Sequence, residues 1–173
     1  MRKLSLFLFC IGLCTTLFSQ IDSTSAPYKK FPTFPPVKLL LVDSTSNIIK
    51  NDLPKKKPVM LMVFSPDCQH CQHETEELVK SIDKFEKVTI IMATMRPYAD
   101  MMAFREKYGL AQYKNIIMGQ DIQFFLAPFY SIVNLPFLAF YDKKGKLISV
   151  FAGSMPVDKV LAELSERTPS EEK

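Results

Sequence analysis

The run Val59-Met60-Leu61-Met62-Val63-Phe64 is apolar at every position and leads, across Ser65-Pro66-Asp67, into Cys68-Gln69-His70-Cys71. Six apolar residues without alternation fit a strand covered on both faces, at the centre of a parallel sheet. The stripe that follows, Cys71, Thr75, Leu78, Ile82 and Phe85, repeats at three and four and predicts a helix. Cys71 then faces the core, and Cys68 sits at the exposed first turn. Few folds place a cysteine pair where a central strand hands over to a helix.

The chain has 173 residues and four cysteines, and the other two, Cys10 and Cys14, lie in an N-terminal leader. Arg2 and Lys3 start that leader, and the apolar stretch Leu4 to Phe18 is shorter than the roughly twenty residues of a membrane-spanning helix. Residues 1–19 read as a signal peptide cut after Ser19, with retention as an anchor the alternative. Phe9 before Cys10 and Leu13 before Cys14 are too large for a lipid-anchor site. Cleavage leaves one Cys-x-x-Cys pair and no second pair for a structural framework. The compartment is exported and periplasmic by expectation, where disulfides persist, and a lone pair there points to redox exchange. No stable membrane span is expected once the leader is gone.

Taking Arg2 and Lys3 from the 22 basic residues leaves 20 against 18 acidic ones, a charge of about +2. That balance argues against nucleic acid as a partner. Residues 20–36 end in Phe31-Pro32-Thr33-Phe34-Pro35-Pro36 and read as an extended, proline-rich linker whose phenylalanines dock on the domain. Residues 37–165 form the domain, and the charged residues 166–173 a disordered tail.

Within the domain, Val37 to Val42 and Asn47 to Ile49 read as strands around the turn Asp43-Ser44-Thr45-Ser46. Lys55-Lys56-Lys57 is a solvated loop. Val88 to Ala93 is a strand, Tyr98 to Tyr108 a helix stopped by Gly109, and Asn115 to Met118 a strand. Asp121 to Tyr130 is expected to be helical throughout. Phe137 to Tyr141 and Leu147 to Phe151 pair across Asp142-Lys143-Lys144-Gly145, and Val157 to Ser165 closes the domain as a helix. The fold class is α/β, a mixed sheet with helices on both faces.

A thiol attacks as thiolate, and unpaired N–H groups with the macrodipole at a helix start stabilise negative sulfur at Cys68. Cys68 would attack a disulfide, and Cys71, one turn on, would resolve the mixed disulfide. A charged His70 beside Cys68 would deepen the thiolate, whereas a neutral ring facing solvent would do little. His73 lies past the pair and reads as a surface residue. Glu74, three residues after Cys71, is either a buried proton acceptor for the second sulfur or one exposed charge among Glu74, Glu76 and Glu77.

Cys68-Gln69-His70-Cys71, with Val133-Asn134-Leu135-Pro136-Phe137-Leu138 about 65 residues later, resembles the thioredoxin superfamily, and within it the exported TlpA/ResA-type thiol–disulfide oxidoreductases. The likeness runs from about Phe34 to Leu164. It implies a thioredoxin-like sheet and a cis peptide between Leu135 and Pro136, packed against the cysteines as a substrate groove. It also implies that Glu74 is the glutamate six residues after the first cysteine. The partners implied are exported proteins carrying disulfides or thiols and an upstream electron donor, and no cofactor is implied. The chain departs from the pattern in three places. Met62 stands where cytosolic thioredoxins bury an aspartate, and Asp67 where they place tryptophan. The middle pair Gln69-His70 has the histidine of the disulfide-forming proteins without their proline. Asp67 is placed to cap the helix, although its charge would oppose the thiolate.

Reduction of client disulfides is the leading expectation, and disulfide formation the second, on account of His70. Peroxidase chemistry has Ser65 three before Cys68, but Leu61 stands in place of the expected proline. Metal binding through Cys68, His70, Cys71 and His73 would need four donors within six residues to converge at one helix start. A scaffold role stands as the remaining alternative.

Overall fold

In the computed structural model, residues 25–54 and 56–165 are described. The stretch read as a signal peptide, the first residues of the expected linker, Lys55 and the expected tail at 166–173 lie outside them. The chain order is α1 (Pro27–Lys30), β1 (Lys38–Leu41), β2 (Ser46–Ile48), α2 (Ile49–Asp52), β3 (Val59–Phe64), α3 (Gln69–Lys80) and β4 (Thr89–Thr94). It continues with α4 (Tyr98–Lys107), β5 (Ile116–Gln120), α5 (Leu126–Tyr130), β6 (Phe137–Tyr141), β7 (Leu147–Ala152) and α6 (Val157–Ser165). The strands form one mixed sheet in the order β2-β1-β5-β4-β3-β6-β7. β3, β4 and β5 run parallel, while β6 lies antiparallel to β3 on its other side.

Every residue of β3 is buried, as an uninterrupted apolar run requires. The pleat divides the run between two cores. Met60, Met62 and Phe64 pack with Cys71 and Leu78 of α3, Met101 and Phe104 of α4, and Val160 and Leu164 of α6. Val59, Leu61 and Val63 pack on the opposite face with Phe34, Ile49, and Leu126, Phe129 and Tyr130 of α5. Helices therefore cover both faces. α4 stops where Gly109 takes a left-handed φ of 60°.

Of the two phenylalanines expected to dock the proline-rich stretch on the domain, Phe34 does so. Phe34 is 1 % exposed and meets Tyr141 edge-on, with ring centroids 5.0 Å apart. The backbone follows the ring: Phe34 N–H donates to Gly145 O and Leu147 N–H to Pro32 O, both over 2.9 Å. Burying a whole phenyl ring outweighs the freedom of an open linker. Phe31, by contrast, stays 65 % exposed.

The helix expected over 121–130 begins only at Leu126. Asp121 Oδ2 accepts the Leu126 N–H over 2.8 Å, and Phe124 has φ of 53°, outside the right-handed helical region. Pro128 falls in the first turn, where its missing N–H costs no helical bond.

Candidate active site

β3 ends at Phe64, and four residues later Cys68 takes the N-cap position of α3 with extended backbone angles, φ −83° and ψ 115°. Oxygen from Ser, Thr, Asp or Asn ordinarily accepts an orphan N–H at such a position. Here the acceptor is sulfur: Cys71 N–H donates to Cys68 Sγ over 3.3 Å. Asp67 does not cap the helix. Its Oδ1 accepts the Ser65 hydroxyl, and its Oδ2 lies 3.6 Å from the Arg96 guanidinium. A sulfur already seated over the first turn leaves that role filled.

Both cysteines are free thiols in this structure. Cys68 is half-buried and donates from Sγ to the Leu135 carbonyl over 3.7 Å. The Leu135–Pro136 peptide is cis and Pro136 is buried. Cys71 is fully buried in the core between sheet and helices. Burial pushes its thiol far up from the ordinary cysteine range. Its hydrogen bond and electrostatic interaction with Cys68 and the charge of Asp67 add to this, and a backbone bond with Ser65 opposes it.

Glu74 is buried on the same face of α3 as Cys71, Thr75 and Leu78. Burial raises its carboxyl above the usual carboxylate range, while the Met155 N–H, 2.8 Å from Oε2, and nearby His73 pull the other way. Glu76 is exposed and Glu77 pairs with Lys80 over 2.7 Å, so of the three glutamates only Glu74 turns inward. Met62, at the position of the missing aspartate, is fully buried and apolar. His70 and His73 both face solvent. His70 contributes its backbone carbonyl, which accepts the Ser154 hydroxyl over 3.1 Å. Among the described residues, no three His, Cys, Asp or Glu side chains converge as a metal site would require.

Two parts of the site escaped the sequence reading. The first is the loop between β7 and α6. There Gly153 N–H donates to Pro136 O over 2.7 Å, Ser154 Oγ to His70 O and Met155 N–H to Glu74 Oε2. Gly153 has φ of 117°, and a lone glycine ahead of Ser-Met-Pro was the available signal. The second is Arg96, whose signal was the need of Asp67 for a countercharge.

The model of a thioredoxin-like domain matches residues 46–168. The chain belongs to the thioredoxin-like family. Thiol–disulfide oxidoreduction is the chemistry of that family. No curated protein sequence matches the chain significantly.

Three solved structures show the likeness. The exposed lipoprotein thioredoxin of Streptococcus pneumoniae is 25% identical with a TM-score of 0.56, over 75% of this chain and 97% of that one. A secreted disulfide oxidoreductase of Mycobacterium tuberculosis is 18% identical with a TM-score of 0.62, over 76% and 96% of the two chains. StoA from Bacillus subtilis is 16% identical with a TM-score of 0.59, over 76% and 98%. Among the described residues, no helix is long and apolar enough to cross a membrane.

Proposed function

We propose that the protein reduces disulfides of exported client proteins, with Cys68 as the attacking thiol and Cys71 as the resolving one. The observation that carries this reading is the unequal environment of the two sulfurs. Cys68 is part-exposed and receives an N–H bond, whereas Cys71 is sealed in the core with its thiol held protonated.

The Cys68 thiolate attacks one sulfur of a client disulfide. A Cys68–client bond forms and the other client sulfur leaves as thiolate, taking up a proton. Cys71 then loses its proton and attacks Cys68, so the second client sulfur leaves and the Cys68–Cys71 disulfide closes. Two electrons pass to the client, and a separate thiol donor must return them to the pair. Glu74, buried on the Cys71 face of α3, accepts the Cys71 proton in the resolving step, the task for which Met62 carries no group. Leu135 and Pro136 hold an extended client segment beside Cys68, where the Leu135 carbonyl now takes the Cys68 thiol.

Export rests on the leader at 1–19, and two of the similar proteins are described as secreted or exposed. Trapping tests the whole scheme. Cys71→Ser is expected to accumulate mixed disulfides on Cys68, with clients identifiable by mass spectrometry, and Cys68→Ser to abolish insulin reduction. Unchanged insulin reduction by Cys68→Ser sinks it. A potential near thioredoxin's value of about −270 mV supports reduction, and one near about −120 mV reverses the direction to disulfide formation.

A further inference from the structure

Asp67 puts a carboxylate directly before Cys68, where a negative charge opposes a thiolate. Both of its oxygens are engaged. Oδ1 takes the Ser65 hydroxyl, and Oδ2 faces Arg96 Nη2 at 3.6 Å. The same guanidinium nitrogen lies 3.9 Å from Asp100 Oδ2 in the first turn of α4. The sheet brings these groups together: Phe64 and Thr94 are register partners at the ends of β3 and β4, so the loops carrying Asp67 and Arg96 leave adjacent strands at one level. Arg96 is anchored there by its own N–H, which donates to Oγ1 of the buried Thr94 over 3.2 Å. A cleft of about 400 Å³ opens beside the group, lined by Pro66, Asp67, Arg96, Asp100 and Lys107.

We infer that Arg96 is a positioning residue of the redox site, acting through Asp67: its guanidinium holds and neutralises the carboxylate that precedes Cys68, and so preserves the reactivity of the cysteine pair. This rests on the reading of Cys68 and Cys71 as the exchanging pair. Asp67 also adds to the upward push on the Cys71 thiol, so the carboxylate is felt at the second sulfur too. The other titratable groups around the turn are His70 and Glu74 on α3 and Asp100 and Lys107 on α4. Arg96 and Asp67 are both substantially exposed, so their pairing contributes little to stability. One uncompensated charge near a sulfur at surface-like dielectric is worth about threefold in thiolate fraction at neutral pH.

The test is the pH profile of Cys68 alkylation by iodoacetamide in the reduced protein at low salt, with the modified residue identified by mass spectrometry. Arg96→Gln is expected to move the midpoint to higher pH and slow alkylation at pH 7 about threefold. Arg96→Lys is expected to keep most of the wild-type rate, and Asp67→Asn combined with Arg96→Gln to restore it or exceed it. Salt at about 0.5 M should narrow the gap between Arg96→Gln and wild type. A merely structural Arg96 would leave the double variant as slow as Arg96→Gln, and that result overturns the inference. So does an Arg96→Gln profile that superimposes on wild type while insulin reduction persists. Inert Cys68 in the wild-type protein brings down the redox reading and the inference together.

Discussion

The Met155 N–H donates to Glu74 Oε2 over 2.8 Å, joining the loop before α6 to the helix that carries Cys71. The bond is buried and spans 81 residues of sequence. It turns one glutamate of α3 inward and fixes the loop whose neighbours, Gly153 and Ser154, bond to Pro136 and His70.

A carboxyl raised by burial binds its proton to higher pH in the native state than in the unfolded chain, so stability falls as pH rises through that interval. The wild-type urea midpoint is expected to decline from the ordinary glutamate region, about pH 4.3, up through the raised value of Glu74. Glu74→Gln should lack that part of the slope while keeping an acceptor for Met155. Glu74→Ala leaves the Met155 N–H unpaired and should cost about 1–3 kcal/mol at any pH.

Cys71 is expected to stay unreactive without its partner. In Cys68→Ser the remaining thiol keeps its burial, the largest cause of its raised proton affinity. Native protein should then react with iodoacetamide at pH 7 at least about tenfold more slowly than the same chain in urea, because only the thiolate is nucleophilic. Mass spectrometry of the quenched protein reads the difference.

Phe34 belongs to the core and Phe31 does not. Phe34→Ala should lower unfolding free energy by about 3–5 kcal/mol, through the lost ring and the void left against Tyr141. Phe31→Ala should stay within about 0.5 kcal/mol. Urea denaturation of the two variants compares them directly.

Gly119 is required by close approach. A Cβ there would stand 2.7 Å from Leu39 Cβ and 3.3 Å from the Leu40 carbonyl oxygen. Gly119→Ala should therefore force β1 away from β5, next to the paired positions Leu41 and Gly119, at a cost of about 1–3 kcal/mol. Faster amide exchange in β1 than in β3 would mark where the strain is released.

Legibility followed the range of the interactions. The order of strands and helices from β3 to α6 could be read along the chain, because apolar period and turn residues are local signals. The exceptions were places where two signals competed. The proline-rich stretch was expected to dock through its phenylalanines, but which ring enters the core was decided by Tyr141, and 121–125 looked helical until Asp121 accepted the Leu126 N–H. Asp67 looked like a cap, but the Cys68 sulfur occupies that place.

By itself the sequence determined that a central strand meets a helix at a Cys-x-x-Cys pair, with Cys71 inward and Cys68 at the turn, since strand and helix periodicities dictate which way neighbours point. Only the tertiary structure decided what surrounds the two sulfurs. The Leu135 carbonyl comes from 67 residues away, the Met155 N–H from beyond β7, and Arg96 from the loop after β4. Those partners depend on strand register and on which loops the sheet gathers at one end. No pattern within a helix or a strand encodes that.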